Sequence, residues 1–514
     1  MQAYPTAVAE RKYATAVNHF ESIRGFLDTE QARQMPHDEV ETYLDREGRE
    51  LLRLLLQEHL DDRKQAERRL RVVTGADGAD RRQAVLAPVK LGSLFGEVDA
   101  SRLLYQAPTR AGLAPLDALL NLPSGYYSHG VRRLIAWHVA SNSYEEVRDE
   151  TAAVTGKRVN KRQLEEIAIS AACDFDAFYE SQPVEGVACS SHLVLSFDGK
   201  GIVVRTQDLR DATRKAAQQA EHKLDKRLSK GEKRNRKRMT EVSAVYVIEP
   251  YVRTTEDIVG ELRPLREGEA QRPKPLFKRV RASVVDNMSD VIDQAFGLAD
   301  QLDPDKAKPR IVLVDGNKDQ IRLVRKIVKE RGVRVAILVD LIHVLEYLWK
   351  AAYCFCDDGT KEAEQWVTER LTRLLDGEDP SRIAAGIRRS ATRRGLTARK
   401  PADDCAKYLI NNRRWLNYPM ALREGMPIAT GVIEGACRYL VKDRMDRTGA
   451  RWSLSGAEAV LRLRALRTNG DFDAYWQFHL DQERQRNHCQ KYLDNTAPNP
   501  LAANDNHSRL RRIK

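Results

Sequence analysis

Leu193-Val-Leu-Ser-Phe197 runs straight into Asp198, and Ile311-Val-Leu-Val314 runs straight into Asp315. Each is an apolar run of strand length that ends on a carboxylate. An ionised acid at the end of a buried strand is costly unless something positive lies beside it. A third acid, Glu434, stands far downstream in Gly431-Val-Ile-Glu434-Gly435, within a strongly basic segment. Two strand-end aspartates and a later helical glutamate form the ligand set of a two-metal phosphoryl-transfer site. Taken singly, Asp198-Gly and Asp315-Gly are also favoured turn pairs. Taken together, in an α/β segment of a basic chain, they point to ligation.

The phosphate in question is expected to be that of nucleic acid. The chain has 514 residues, with 86 Lys and Arg against 74 Asp and Glu, a formal charge of +12. Such a balance suits a nucleic-acid partner, although ribosome-associated and membrane-surface proteins share it. No apolar run reaches the length of a membrane span, and the first residues lack a signal-peptide core. Seven scattered cysteines argue against a disulfide framework and for a reducing compartment. Cys354-Phe-Cys356 has no matching second pair, as a zinc site would require. The expected location is therefore the cytoplasm.

The fold class expected is α/β, an RNase-H-like catalytic core with an all-helical insertion, preceded by a mainly helical DNA-binding region. Residues 1–83 form a charged helical region in which Val40 to His59 reads as one amphipathic helix. It suits a DNA-binding arm, a dimerisation element or a solvated helical pair equally. Residues 84–185 begin with a short hairpin over 84–105 and continue as short helices near 127–140, 143–152 and 159–171. Ser143-Tyr-Glu-Glu146 is an N-cap and first turn, and Gly156 ends the second helix. Lys157, Arg158, Lys161 and Arg162 at the junction fit a helix-turn-helix. A plain helical bundle is the competing reading.

The core is expected over 186–344, interrupted by a basic insertion at 208–240, and again over 421–490, with a helical insertion at 345–420 and a tail at 491–514. Its strands read as 192–197, 202–206, 242–248, 311–314 and 333–339, with Gly199-Lys-Gly201 as a tight turn. The order does not suit a dinucleotide fold, since no Gly-x-Gly-x-x-Gly follows the first strand. No phosphate-binding Gly-x-x-x-x-Gly-Lys-Ser/Thr loop occurs, so ATP use is unsupported.

Two Mg²⁺ ions, or Mn²⁺ in their place, want hard carboxylate oxygens, supplied here by Asp198, Asp315 and Glu434. Asp340 follows the last strand and His343 comes three residues later, so both can meet on one helical turn. The pair can shuttle a proton or orient a phosphate, and Asp340 can equally be a helix cap. Arg438, Lys442, Arg444, Arg447 and Arg451 lie near Glu434 as phosphate holders, with Trp452 as a base-stacking platform or a core residue. Nine Lys or Arg fall in the sixteen residues from Lys223 to Arg238. Among them Lys223, Lys226, Arg227, Lys230, Lys233 and Arg234 form a plausible DNA clamp.

These residues carry a family pattern. Ser-Phe-Asp198-Gly-Lys, Val-Asp315-Gly, Val-Asp340-Leu-Ile-His343-Val and Gly-Val-Ile-Glu434-Gly-Ala-Cys-Arg stand in order. Arg444-Met445 and Gly449-Ala-Arg-Trp452 follow. The chain resembles the ISKra-type insertion-sequence transposases, relatives of the Mutator-like DDE enzymes. Phe95-Gly-Glu-Val98, Pro115-Leu-Asp117, Leu120-Asn-Leu-Pro123 and Asn469-Gly-Asp471-Phe-Asp-Ala-Tyr-Trp476 with His479 extend the resemblance over most of the chain. It implies a DDE transposase with Asp198, Asp315 and Glu434 as triad and Asp340 and His343 as the auxiliary Asp-x-x-His pair. It also implies Mg²⁺, binding of terminal inverted repeats and target DNA, and a homodimer or larger synapse. A nuclease of the same fold without strand transfer, and a catalytically silent DNA-binding derivative, are the alternatives.

Overall fold

The computed structural model describes residues 12–182, 191–219, 232, 236–260, 272–429, 431–447 and 449–501. The chain divides into two compact units, Met1–Glu180 with Phe472–Lys514, and Ser181–Asp471.

The first unit opens with α1 (Ala14–Leu27) packed along α2 (His37–Ala66), the amphipathic helix expected there and longer than its apolar stripe. Leu56 and Leu60 of α2 cover Leu91, Val98 and Ala100. Those residues belong to two nested hairpins rather than one. β1 (Gln83–Ala87) pairs with β4 (Arg102–Gln106), and β2 (Lys90–Ser93) pairs with β3 (Gly96–Asp99) between them. Three helices follow: α3 (His129–Val139), α4 (Tyr144–Thr155) and α5 (Lys161–Ala171), each packed on the other two. The start of α4 is a reciprocal capping box. Ser143 Oγ accepts from the Glu146 N–H, and Glu146 Oε2 accepts from the Ser143 N–H. Gly156, at φ 72°, caps its other end in the left-handed conformation that glycine adopts without strain. The helix Phe472–Asn487, from the far end of the chain, completes this unit.

The second unit is a mixed α/β domain built on one five-stranded sheet. Its strands are β5 (His192–Val203), β6 (Lys237–Ile248), β7 (Leu276–Ser283), β8 (Arg310–Val314) and β9 (Val335–Val339), in the spatial order β9-β8-β5-β6-β7. β5, β6 and β7 are antiparallel neighbours, while β8 runs parallel to both β5 and β9. All five residues of β8 are buried, as suits a parallel strand covered on both faces. α6 (Met288–Leu302) packs against β5, β6 and α7 (Lys318–Arg331). α8 (Leu341–Ala352), α9 (Lys361–Leu375), α10 (Pro380–Arg393) and α11 (Lys400–Asn412) form the helical insertion, and their apolar faces join the sheet in one core. A central mixed sheet flanked by helices, with further helical insertions, is consistent at this coarse level with an RNase-H-like superfold.

Two expected elements are corrected. Residues 192–197 and 202–206 are not the two arms of a hairpin, because β5 runs unbroken through Gly199-Lys-Gly201 and pairs with β6 along twelve residues. Neither glycine has the positive φ that a two-residue hairpin turn demands. Their missing side chains make room instead. A Cβ at Gly199 would lie 2.9 Å from Met239 Cε, and one at Gly201 would lie 3.1 Å from Lys237 Cδ. The third antiparallel strand is β7, which was not expected. The expected helix-like basic insertion holds a helix at Asp211–Gln219, while Lys237 and Arg238 already belong to β6.

Candidate active site

Strand register brings the first two acids level. Leu313 of β8 pairs with Ser196 of β5, so Asp315, two residues on, comes beside Asp198. Asp198 is half-buried within β5, not at its end. Its Oδ1 accepts from the Gly199 N–H at 2.7 Å and its Oδ2 from the Cys437 thiol at 3.1 Å. Asp315 is half-buried at the mouth of β8, where its Oδ1 accepts from the Asn317 N–H at 2.7 Å. The Tyr408 hydroxyl, from α11, donates to the Asp315 carbonyl at 2.7 Å.

Glu434 stands on the short helix α12 (Gly431–Ala436), which packs on β5 and β6. From Cys437 to Lys442 the chain winds as a π-helix, the widened turn that recurs at functional sites. Cys437, three residues beyond Glu434, is thereby turned towards Asp198.

The site's electrostatics tie these groups together. Burial raises the Asp315 carboxyl above its ordinary range; the Asn317 N–H and His343 draw it back, and Asp198 pushes it higher. Burial likewise raises Glu434, with His343 opposing and Glu346 and Asp198 adding to the rise. His343 therefore acts on two of the three acids. Among the described residues no Lys or Arg forms an ion pair with Asp198, Asp315 or Glu434. These half-buried carboxylates repel one another, and His343 opposes that repulsion. They offer the oxygen donors that a hard divalent cation takes and are the residues that could hold one.

Asp340 is placed differently. It is 3% exposed, and its Oδ1 accepts from the Ile342 N–H at 2.9 Å as the N-cap of α8. Its own N–H donates to the Val314 carbonyl at 2.9 Å, which ties the start of α8 to the end of β8. Asp340 thus positions His343 through the helix it starts.

Of the basic residues after Glu434, Arg438, Lys442, Arg447 and Arg451 are exposed. Arg444 is corrected to a core position, and of the two readings open for Trp452 the core one holds. Arg444 is 3% exposed and lies 4.7 Å over the Trp452 ring, and Trp452 is 5% exposed with its indole N–H donating to the Met445 carbonyl at 3.0 Å. Backbone bonds from Trp452 to Val203 and from Arg205 to Trp452 pin it to the end of β5, so its ring is not offered to a base. In the first unit Lys157, Arg158, Lys161 and Arg162 are all exposed at the α4–α5 junction. Lys157 is paired with Glu97, Lys161 with Glu145 and Arg162 with Glu166. Lys223, Lys226, Arg227, Lys230, Lys233 and Arg234 lie outside the described residues.

A separate cluster in the first unit escaped sequence reasoning, because one member lies more than 300 residues from the other two. Cys173, Asp174 and His479 bring three potential ligand atoms within 4.8 Å of one another and form a candidate metal-binding group. Asp198, Asp315 and Glu434 are not drawn that close together. In the first-unit cluster, however, Asp174 is already engaged. His479 Nδ1 lies 2.7 Å from its Oδ2, and Arg486 bonds both oxygens at 2.5 and 2.9 Å. Burial opposes ionisation of Asp174, but these partners outweigh it and hold the carboxyl well below its usual range. The Cys173 thiol is pushed up to about 11, by burial first and then by Asp174. A cation entering here would have to displace a guanidinium and deprotonate a resistant thiol.

Cys437, whose thiol donates to Asp198, was also missed. The three-residue step from Glu434 is the one signal that pointed to Cys437. Among the described residues no helix is long and apolar enough to cross a membrane. No protein-family model matches the chain, and no curated protein matches it.

Proposed function

We propose that this chain is a DDE transposase of the ISKra type, which cuts DNA at terminal inverted repeats and joins the freed ends to target DNA. The observation that carries the reading is the position of Asp198 and Asp315 side by side on adjacent parallel strands, electrostatically coupled to Glu434, with no Lys or Arg ion-paired to any of the three among the described residues. The strand order, with three antiparallel strands followed by two parallel ones, supports an RNase-H-like core.

Asp198, Asp315 and Glu434 would hold two Mg²⁺ ions, which when bound activate the attacking oxygen and stabilise the leaving one. Mn²⁺ would substitute. The Cys437 thiol and the Gly199 N–H fix both oxygens of Asp198. His343, which bears on Asp315 and Glu434, would hold or pass a proton in the reaction. Exposed Arg438, Lys442 and Arg451 supply cations for the DNA backbone. In the first step water attacks phosphorus and the 3′ oxygen leaves, taking a proton. In the second that 3′-hydroxyl attacks a target phosphodiester, whose own 3′ oxygen leaves. Both steps use one site, and pairing two ends calls for a homodimer or larger synapse.

The test is incubation of the purified chain and Mg²⁺ with DNA carrying the sequences that flank its own gene. Cleaved ends and joined products are expected. Asp198→Ala, Asp315→Ala and Glu434→Ala should each abolish both, by more than about 10³-fold, while binding persists. Hydrolysis without joining would make the chain a nuclease of the same site. Binding without cleavage in Mg²⁺ or Mn²⁺ would make it a silent DNA-binding protein.

A further inference from the structure

The helical insertion carries a charge pattern that the chemistry above leaves unused. Seven Lys or Arg fall between Pro380 and Lys400, with no Asp or Glu among them. Most of that stretch is α10, whose Ile383, Ala384, Ile387 and Ala391 are buried. The charged face of the helix is the one turned to solvent.

Three of the arginines have work inside the insertion. Arg388 lies 3.9 Å from Asp403, and Arg399 holds both oxygens of that same carboxylate. Arg394 donates to the Phe355 carbonyl at 2.9 Å. Arg382, Arg389 and Arg393 differ. All three are exposed, and among the described residues their guanidinium groups form no ion pair and no hydrogen bond. Glu378 and Asp379 stand near Arg382, but both are engaged. Arg373 holds Glu378 through both oxygens, and Asp379 caps α10 at the Ser381 N–H.

At 100° per residue these three arginines fall within about 20° of one line, a stripe about 16 Å long. A cation in the last turn eases the helix dipole, which accounts for Arg393 but not for Arg389 or for Arg382 in the first turn. Between Arg382 and Arg389 the same side of the helix holds only Ala385 and Gly386. A Cβ on Gly386 would meet nothing within 4 Å, so packing within the chain does not call for a glycine that weakens the helix. The gap leaves the helix backbone open to a partner lying along it.

We propose that this face of α10 binds the phosphate backbone of duplex DNA without reading its bases. Phosphate is the partner that an acid-free row of arginines fits, since each guanidinium offers a fork of donors to its oxygens. A membrane surface fits poorly, because a helix binds one through an exposed apolar face and that of α10 is buried. The choice of DNA over RNA rests on the function proposed above; the anion-binding face does not.

The test uses the full chain in chelator, so that cleavage plays no part, with two short duplexes of unrelated sequence. Arg382→Gln, Arg389→Gln and Arg393→Gln together should lower affinity for both by about 10²-fold at 100 mM salt and make the slope of log K against log salt shallower by about 2.7, or 0.9 per contact. Lysine at the same three positions should keep the slope, because it meets phosphate as a point charge. Arg325→Gln, Lys326→Gln and Lys329→Gln, on the exposed side of α7, should leave it unchanged. A first variant that binds like wild type, or an α7 variant that loses as much, overturns the proposal. So does a greater loss for duplex RNA or phosphatidylserine vesicles than for DNA. If the Gln variant melts lower than wild type, the Lys variant decides, and a slope lost there too makes the arginines structural and overturns the proposal. DNA affinity lost as expected, in a chain whose wild type cuts nothing in Mg²⁺, would leave this surface standing and the transposase reading fallen. No duplex binding by wild type overturns both.

Discussion

Gly316 shows how tightly the second aspartate is held. Its φ of 87° lies in the left-handed region, and a Cβ there would meet Asn412 Nδ2 at 2.8 Å and Tyr408 Oη at 2.9 Å. The same Tyr408 hydroxyl holds the Asp315 carbonyl, so one residue braces the turn from both sides. Gly316→Ala combines a strained φ with two contacts too close to keep. It should cost about 2–3 kcal/mol of stability and shift Asp315 enough to lower cleavage by about 10²-fold. Chemical denaturation and a cleavage assay on the same preparation would check both. Asp174 offers a contrasting case, a carboxylate satisfied by the protein itself. Asp174→Asn leaves His479 and Arg486 facing a neutral amide and should destabilise by about 3 kcal/mol, the low end for a broken buried pair because Arg486 keeps some water. The sign with pH follows from its depressed folded pKa. The stabilisation is present above the unfolded value of about 3.9 and is lost as pH falls through the folded one. The gap between wild type and variant in urea melts should therefore be constant from neutrality to about pH 5 and shrink below about pH 4.

Elements were legible where one signal sufficed. Ile311-Val-Leu-Val314 is a fully buried parallel strand and the run ending at Val339 a half-buried one beside it, and apolar composition alone marks both. The aspartates were legible because each follows its run. β7, Leu276-Phe-Lys-Arg-Val-Arg-Ala-Ser283, was missed because an edge strand carries charges that blunt its outer side, and Lys278, Arg279 and Arg281 mask the pattern. The register of β6 against β5 was invisible for another reason, since no local pattern states it. Gly199 and Gly201 misled in the same way, since a glycine that signals a turn and one that yields space to a facing strand look alike in a sequence. The distinction is measurable. With β5 continuous, those backbone amides over residues 199–203 that bond to β6 should be protected from deuterium exchange like other strand amides. Fast exchange confined to 199–201 would restore the hairpin turn.

The first unit is assembled from both ends of the chain, with Phe472–Asn487 supplying Tyr475, Trp476 and His479 to its interior. The second unit is thus an insertion within the first, and the site acids all belong to it. The net charge of +12 belongs to the whole molecule. Concentrated positive charge follows Glu434 in sequence, in exposed Arg438, Lys442, Arg447 and Arg451, while the acids carry the opposite sign. On the function proposed above, DNA drawn in by these side chains would meet a cluster of carboxylates that repels phosphate until metal ions neutralise it. Two consequences follow for binding measured in chelator. Affinity for duplex DNA should fall about 10³-fold between 50 and 200 mM salt, as counterion release requires of a protein contacting about six phosphates. A chain with Asp198→Asn, Asp315→Asn and Glu434→Gln together should bind tighter than wild type, because three repelling charges are gone while the salt slope, set by the cations, stays the same. Adding Mg²⁺ should close that gap by raising wild-type affinity alone. If the neutralised chain bound no tighter in chelator, the DNA backbone would not pass the three acids, and the cleavage site would have to be sought elsewhere on the molecule.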